Sequence, residues 1–205
     1  MKSTIKTSRT AGQLEKMFRE LNKHYYNGEL PEPIITLKKT PSAYGHITTV
    51  KTWTVSTEQG TEQRYEINIS TATLDRPIEN TTATLLHEMA HLYNLVHGIR
   101  DTSSQSGAYH NKRFKATAEA HGLVIDHHEK YGWTITDDRG PDVGRYVRHW
   151  YGQQGTGQQP DRSPETAQGQ KQHPAVGMPE VRDYYSQHQG STGHLCRLYG
   201  AVRKG

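Results

Sequence analysis

The chain has 205 residues, including 25 Lys and Arg, 21 Asp and Glu, 13 His and a single Cys, and its formal net charge is +4. This length suits one domain of ordinary size with some residues to spare. No window reaches the roughly 18 apolar residues of a membrane helix, and residues 1–10 lack the apolar stretch of a signal peptide. A single Cys excludes an internal disulfide and an all-cysteine zinc site. We therefore expect a cytoplasmic protein with no membrane partner, and any bound metal to be held mainly by His, Asp or Glu.

The apolar residues are concentrated in the first two thirds of the chain. Leu, Ile, Val and Phe together number 26 in residues 1–135 and only 7 in residues 136–205. Residues 152–176 contain 14 Gln, Gly or Pro among 25 positions, a composition that buries too little surface to offset its ordering entropy. The sequence therefore predicts a domain in residues 1–151, a linker in residues 152–176 and a flexible polar tail in residues 177–205.

The first part of the predicted domain has the pattern of one helix followed by short strands. Residues 10–26 carry apolar side chains at helical spacing, with Thr10 as a candidate N-cap and Gly28 just after the helix. Runs rich in β-branched and aromatic residues follow. We expect strands at residues 34–37, 47–55 and 63–70. Three strands after a helix predict a small sheet.

The next element is the best-defined helix of the sequence. It is expected to run from Thr81 to His97, with Asn80 as N-cap and Gly98 at the position favoured for a C-terminal glycine. After it we expect a polar loop at residues 99–109, a helix at residues 111–121, extended pieces at residues 124–126 and 133–136, and a last helical turn or two within residues 141–151.

This helix carries an H-E-x-x-H motif formed by His87, Glu88 and His91. Two His four residues apart project from one face of a helix, so both can bind one zinc ion, and the intervening Glu can contact the water on the metal. The apolar residues of the helix lie on nearly the opposite side, which predicts that the His pair faces a cleft or solvent. The alternative is a pair of surface His with no ligand.

A catalytic zinc needs a third protein ligand, and the sequence offers two candidates. His97 has the spacing of the metzincin motif, but Asn94 stands where that motif has Gly, and in a continuous helix His97 points away from the pair. His110 lies after the polar loop, with Phe114 one turn further along. We favour His110, because a loop of this length can return over the metal.

The chain resembles the SprT-like (Spartan-type) zinc metalloproteases, which are H-E-x-x-H zincins, over about residues 12–122. The resemblance rests on Tyr-Asn-Gly-Glu-Leu-Pro at 26–31, Ile-Asn-Ile-Ser at 67–70, Thr-Leu-Leu-His-Glu-Met-Ala-His at 84–91, and His110 followed by Phe114. It implies a minimal zincin-like α+β fold in which His87, His91 and His110 bind Zn²⁺ and Glu88 is the general base.

The same resemblance implies an endopeptidase that cleaves proteins or peptides, including DNA-bound or crosslinked proteins, as in DNA–protein crosslink repair. Some relatives carry a C-terminal zinc ribbon. Here residues 196–200 resemble its first knuckle with Tyr199 in place of the second Cys, so the tail is either a degenerate remnant or an ordinary disordered tail. The alternative function is a non-catalytic nucleic-acid- or protein-binding module with a fold-stabilising zinc, which normally has four protein ligands.

Peptide substrates can bind as an added strand, so residues 63–70 are a candidate receiving edge. The residues proposed to contact substrate there share one face: Tyr65, Ile67 and Ile69. Tyr109 and Tyr93 are available as oxyanion donors. DNA is a candidate partner because basic residues occur near the site and among aromatic ones further on. These are Lys112, Arg113 and Lys115, and then Arg145 and Arg148 among Tyr146, Trp150 and Tyr151.

Overall fold

The computed structural model describes residues 7–40, 43–103, 108–137, 143–144, 146–147 and 196–199. In these residues the α-helices are α1 (Thr7–Tyr25), α2 (Ile78–Val96) and α3 (Lys112–Ala120). The strands are β1 (Ile34–Lys38), β2 (Ala43–Ile47), β3 (Trp53–Thr57), β4 (Gly60–Arg64), β5 (Glu66–Ser70), β6 (Val124–His128), β7 (Gly132–Asp137) and β8 (Cys196–Tyr199). A short 3-10 turn, Thr71–Thr73, connects β5 to the segment before α2.

The main sheet is mixed and has the strand order β1-β5-β2-β8. Strand β1 is parallel to β5, and β2 is antiparallel to β5 and to β8. Two hairpins, β3–β4 and β6–β7, form separate two-stranded sheets. Helices and small sheets in one domain confirm the predicted α+β class, and the linker of residues 152–176 lies outside the described residues.

Two of the three predicted strands are wrong in their extent. The run 47–55 contains the end of β2 and the start of β3, because the chain bends at residues 49 and 50. The run 63–70 is divided at Tyr65 into the end of β4 and the whole of β5. Both runs have strand-forming composition throughout, so composition does not reveal where the chain turns.

The core lies between the main sheet and the helices. The apolar face predicted for the first helix is buried, and Val143 and Val147 beyond β7 join the same cluster. On the sheet the central strand β5 contributes Ile67 and Ile69, both 0% exposed. Its other face is polar: the Asn68 side chain hydrogen-bonds the Lys38 backbone on β1. Its pairing with β1 on one side and β2 on the other makes β5 an interior strand.

Helix α2 begins three residues earlier than predicted, at Ile78, and ends one residue earlier, at Val96. Pro77 is its N-cap residue, so Asn80 lies inside the helix and does not cap it. Pro77 has a φ of −48° and a ψ of 145°, which is not helical, so the first helical residue is Ile78. Gly98 has a φ of 67°, as expected for the glycine that follows a helix. Helix α1 likewise begins at Thr7, which places Thr10 within it.

The helix and hairpin after α2 agree with the sequence pattern. Asn111 is the N-cap of α3, and its side chain accepts hydrogen bonds from the backbone N–H groups of Arg113 and Phe114. The two predicted extended pieces form β6 and β7. None of the helices in the described ranges is long and apolar enough to cross a membrane.

Candidate metal centre

Three imidazole rings converge where α2 meets the segment before α3. The Nε2 atoms of His87, His91 and His110 lie 3.0 to 3.3 Å from one another. A tetrahedral zinc with zinc–nitrogen distances of about 2.0–2.1 Å separates its nitrogen ligands by about 3.3 Å. The three nitrogens therefore have the spacing of one face of a tetrahedral site.

The His pair is not on the surface. His87 is 0% exposed and His91 is 3% exposed, so of the two expected surroundings, a cleft or solvent, solvent is wrong. The apolar pattern of α2 misses this because almost the whole helix is buried. Phe114 of α3 covers the rings, with its centroid 4.4 Å from those of both His87 and His91 and 4.7 Å from that of His110.

The β6–β7 hairpin holds His110 in place. The backbone N–H of His110 donates to the carbonyl of Tyr131, and the N–H of Trp133 donates to the carbonyl of His110. Nδ1 of His110 also lies 3.3 Å from the Tyr131 carbonyl oxygen. Gly132 permits this contact, because a Cβ at that position would lie 2.1 Å from the His110 carbonyl oxygen. The hairpin thereby directs Nε2 of His110 toward the other two rings.

Asp101 fixes the orientation of His91. Its Oδ2 lies 2.6 Å from Nδ1 of His91 and also accepts a hydrogen bond from the Asn94 amide. Thr117 of α3 donates in turn to the Asn94 side chain. Burial alone raises the pKa of Asp101, but His91 and these hydrogen bonds outweigh burial and lower it. An ionised Asp101 can only accept, so Nδ1 of His91 carries the hydrogen and Nε2 is left as a metal ligand.

Burial favours the neutral form of two of the imidazoles, His87 and His110. Desolvation lowers the pKa of His87 well below its usual value, and His91 and His110 lower it further. Burial also lowers the pKa of His110, to about 3, with a further contribution from His91. Neutral imidazole is the form that binds metals. His87 and His110 can therefore accept a divalent cation near neutral pH without first losing protons.

Glu88 follows His87 on α2, and its side chain is fully buried. Both oxygens of its carboxylate are buried and have no hydrogen-bond partner in the part of the chain that the structure describes. Burial raises the pKa of Glu88 well above its usual value, and the nearby charge of Asp101 raises it further. A buried carboxyl group without a partner is costly, so its position calls for a function. A cation bound by the three imidazoles would favour the ionised carboxylate.

The other candidates from the sequence lie elsewhere. His97 is exposed, and its ring stacks on Tyr93 while Nδ1 contacts the Tyr93 carbonyl oxygen. The Tyr93 ring also packs against Tyr26, and the Tyr109 hydroxyl lies 3.3 Å from Nε2 of His127. The metal-ligand geometry among the described residues therefore groups His87 and His91 with His110 and not with His97.

The expectation that residues 63–70 form an edge strand is wrong. Strand β5 is hydrogen-bonded on both sides, to β1 and to β2, so neither of its edges can receive a peptide. Ile67 and Ile69 belong to the core, and Tyr65 lies between β4 and β5 and packs against that core. The strand that lies next to Glu88 is β2. The alternation of apolar and polar residues along the sequence could not show which strand lies in the interior of the sheet.

Two features of the site were missed by the sequence pattern. Asp101 is the one acidic residue of the polar loop 99–109, so the sequence alone could have identified it as a candidate partner for a ligand His. Gly45 of β2 had no such signal. A Cβ there would lie 3.0 Å from Oε1 of Glu88 and 3.0 Å from the Asn68 carbonyl oxygen. Glycine therefore lets the backbone of β2 pass close to the Glu88 carboxylate.

The fold and the site together define a small α+β domain with a three-His cluster that could hold a metal ion. The SprT-like family model matches residues 14–130, which is more than half of the chain. The chain therefore belongs to the SprT-like family. The matched range includes all three imidazoles, Glu88 and Asp101. Comparisons with curated proteins and with solved structures gave no match.

Proposed function

We propose that this protein is a zinc-dependent endopeptidase in which His87, His91 and His110 bind the metal and Glu88 is the general base. The observation that carries the proposal is the Glu88 carboxylate, which is buried without a hydrogen-bond partner among the described residues and lies on the helix that carries His87 and His91. Family membership is compatible with a metallopeptidase. A purely structural role for Glu88 would leave the cost of burying it without compensation.

The chain supplies the proton transfers of peptide hydrolysis. When bound, zinc supplies a Lewis acid that polarises the peptide carbonyl and makes water more acidic. Glu88 takes the proton of the attacking water and then gives it to the nitrogen of the leaving amine. Asp101 holds the ring of His91, and the carbonyl of Tyr131 holds that of His110. Rigid ligands keep the base at a constant distance from the reacting carbonyl.

The competing function is a binding module in which zinc only stabilises the fold. Structural zinc sites are normally closed by four protein ligands. In the described part of the chain the cluster contains three candidate ligands, His87, His91 and His110. A fourth position is left for water or substrate, which favours catalysis.

The substrate class we propose is protein bound to DNA. Lys112 and Arg113 are exposed at the start of α3, two and three residues after His110. Such cations can contact phosphates close to the proposed active site. Lys115 is partly exposed, and its ammonium lies 3.9 Å from the centroid of the Trp133 ring. Of the second predicted cluster the structure describes Tyr146, whose ring stacks on His24. The other members, Arg145, Arg148, Trp150 and Tyr151, lie outside the described residues.

Cleavage and metal content measured on the same samples test the proposal. A flexible protein such as casein is incubated with the wild type and with Glu88→Gln, and zinc per chain is measured in each. We expect one zinc in both proteins and cleavage by the wild type alone. Glu79→Gln, at the start of α2, is the control and should cleave normally. Equal turnover by Glu88→Gln would exclude Glu88 as the base, and zinc without cleavage in the wild type would favour the binding module.

A further inference from the structure

Strand β2 passes directly beside the proposed general base. The Cβ position of Gly45 faces α2, where it would lie 3.0 Å from Oε1 of Glu88 and 3.2 Å from Cγ2 of Thr84. The inner edge of β2 pairs with β5, in a register that places Gly45 opposite Ile69. The outer edge of β2 is therefore the place in the sheet where another strand can be added beside Glu88.

The chain fills this outer edge with its own tail. Residues Cys196–Tyr199 form β8, antiparallel to β2, with Ile47 opposite Cys196, His46 opposite Arg197 and Ala43 opposite Tyr199. The register shifts between Ala43 and His46, so the pairing is irregular at Gly45. The interruption falls at the residue whose Cβ position faces Glu88.

We propose that β8 occupies the edge at which an extended polypeptide substrate binds, so that the tail is a competitor built into the chain. This inference rests on the proposed endopeptidase function. An extended peptide adds to a sheet through main-chain hydrogen bonds, and these do not depend on its sequence. Two strands cannot pair with one edge at the same time. Substrate therefore binds only to molecules in which β8 has left β2.

Tethering makes this competition effective. Because β8 belongs to the same chain as β2, its local concentration near β2 is high. A free peptide must be supplied at a similarly high concentration to compete with it. The apparent affinity for a free strand falls in proportion to the fraction of molecules with an open edge. Four residues of irregular pairing form a weak contact, so a longer extended substrate can displace them. The tail would thus select for unfolded or extended polypeptides.

Two prolines in β8 open the edge without altering β2 or the site. Successive backbone N–H groups in a strand point to opposite edges, so one of two adjacent prolines removes a donor directed at β2. The test variant is Arg197→Pro with Leu198→Pro in the full chain. Its matched control is Val202→Pro with Arg203→Pro. This variant also loses one Arg, one aliphatic residue and two backbone N–H groups, but at positions that follow β8.

The first measurement is binding of a labelled synthetic peptide that corresponds to residues 194–201, with Ser in place of Cys196. Fluorescence anisotropy is recorded with the wild type, the test variant and the control. We expect the test variant to bind the peptide about tenfold more tightly than the other two proteins, because its edge is open. Equal binding by all three proteins would overturn the proposal.

The second measurement is hydrogen exchange of the backbone amides of β2. Exchange should be faster at residues 43–47 in the test variant than in the wild type, and unchanged in the control. Unchanged exchange in the test variant would show that β8 does not cover β2 and would overturn the proposal. Casein cleavage by the test variant should also rise several-fold. If exchange at β2 becomes faster but cleavage does not, the proposal that β8 competes with substrate is overturned.

These readouts separate the failure of this inference from that of the proposed function. Peptide binding and hydrogen exchange need no catalysis, so they report on β2 and β8 alone. If the wild type cleaves casein but the prolines change neither readout, the endopeptidase stands and the competing tail is wrong. If the edge opens as expected but no form of the protein cleaves casein at all, the endopeptidase is wrong and the tail competes with no substrate.

Discussion

Asp101 accepts a hydrogen bond from His91, with Oδ2 of the carboxylate 2.6 Å from Nδ1 of the ring. The pair joins the polar loop after α2 to the centre of the three-imidazole cluster. Because Asp101 is ionised, it determines which nitrogen of His91 carries the hydrogen and directs Nε2 toward His87 and His110. The loop therefore contributes to the site although it supplies no metal ligand of its own.

Asp101→Asn should weaken zinc binding by about 10- to 100-fold, the usual cost of losing a carboxylate that orients a ligand His. The amide is neutral, so it no longer stabilises the metal-bound imidazole. Zinc affinity is measured by competition with a chelating dye at pH 7. Asp126→Asn, an exposed carboxylate on β6, is the matched control and should keep the wild-type affinity. Unchanged affinity in Asp101→Asn would show that the hydrogen bond has no such role.

Gly45→Ala should lower the free energy of unfolding by about 1–3 kcal/mol through overpacking. The added methyl would meet the Asn68 carbonyl oxygen and Oε1 of Glu88, each at 3.0 Å. The control is Gly12→Ala in α1, where, apart from the neighbouring residues and backbone of the helix itself, no atom of the described residues lies within 4 Å of the added Cβ. Gly12→Ala should instead raise stability, by up to about 1 kcal/mol, because Ala favours helix. Urea denaturation of both variants measures the difference, and equal effects would contradict this packing.

The pH dependence of stability should report on Glu66. Burial alone raises its pKa, but hydrogen bonds from Lys38, Thr36 and Trp53 outweigh burial and lower the pKa below the ordinary value of 4.5. A lowered folded pKa means that the stabilisation is complete above about pH 5 and is lost as the pH falls through the folded pKa.

Glu66→Gln should therefore unfold at a lower urea concentration than the wild type at pH 7, with a loss of about 1–2 kcal/mol. The difference between the two proteins should shrink steadily below pH 4.5, because the unfolded wild type then takes up a proton at Glu66 that the folded protein binds only at a lower pH. Glu62→Gln, an exposed residue of β4, is the control and should show little change at any pH. A difference that is constant from pH 7 to pH 3 would contradict the assignment.

The choice of third ligand is tested by two single substitutions. His110→Ala removes one of the three converging nitrogens and should abolish stoichiometric zinc binding in the purified protein. His97→Ala removes an exposed ring that stacks on Tyr93 and should retain one zinc per chain. Both proteins are dialysed against the same buffer and analysed by mass spectrometry for metal. Loss of zinc from His97→Ala alone would reverse the assignment.

The sequence could predict the parts of the fold that are set by local periodicity. The apolar spacing of α1, the H-E-x-x-H helix, the glycine after it at Gly98 and the N-terminus of α3 at Asn111 all depend on residues close together in the chain. The choice of His110 over His97 also followed from helix geometry, since a continuous α2 turns His97 away from the pair.

The parts that could not be predicted depend on contacts distant in sequence. The turn within residues 47–55 separates two strands of similar composition, and only their partners distinguish them. The interior position of β5 follows from pairing with β1 and β2, which alternation cannot show. Residues 196–199 of the tail are too few to show a strand pattern in the sequence. Strand β8 is recognised only from its pairing with β2.

The most direct test of the central claim is X-ray absorption at the zinc edge on the purified wild-type protein and on His110→Ala. The three imidazoles predict three nitrogen ligands at about 2.0–2.1 Å, together with one oxygen ligand, in the wild type. His110→Ala should lose this spectrum or its metal altogether. A wild-type spectrum with four protein ligands including sulfur, or one that His110→Ala leaves unchanged, would contradict the claim.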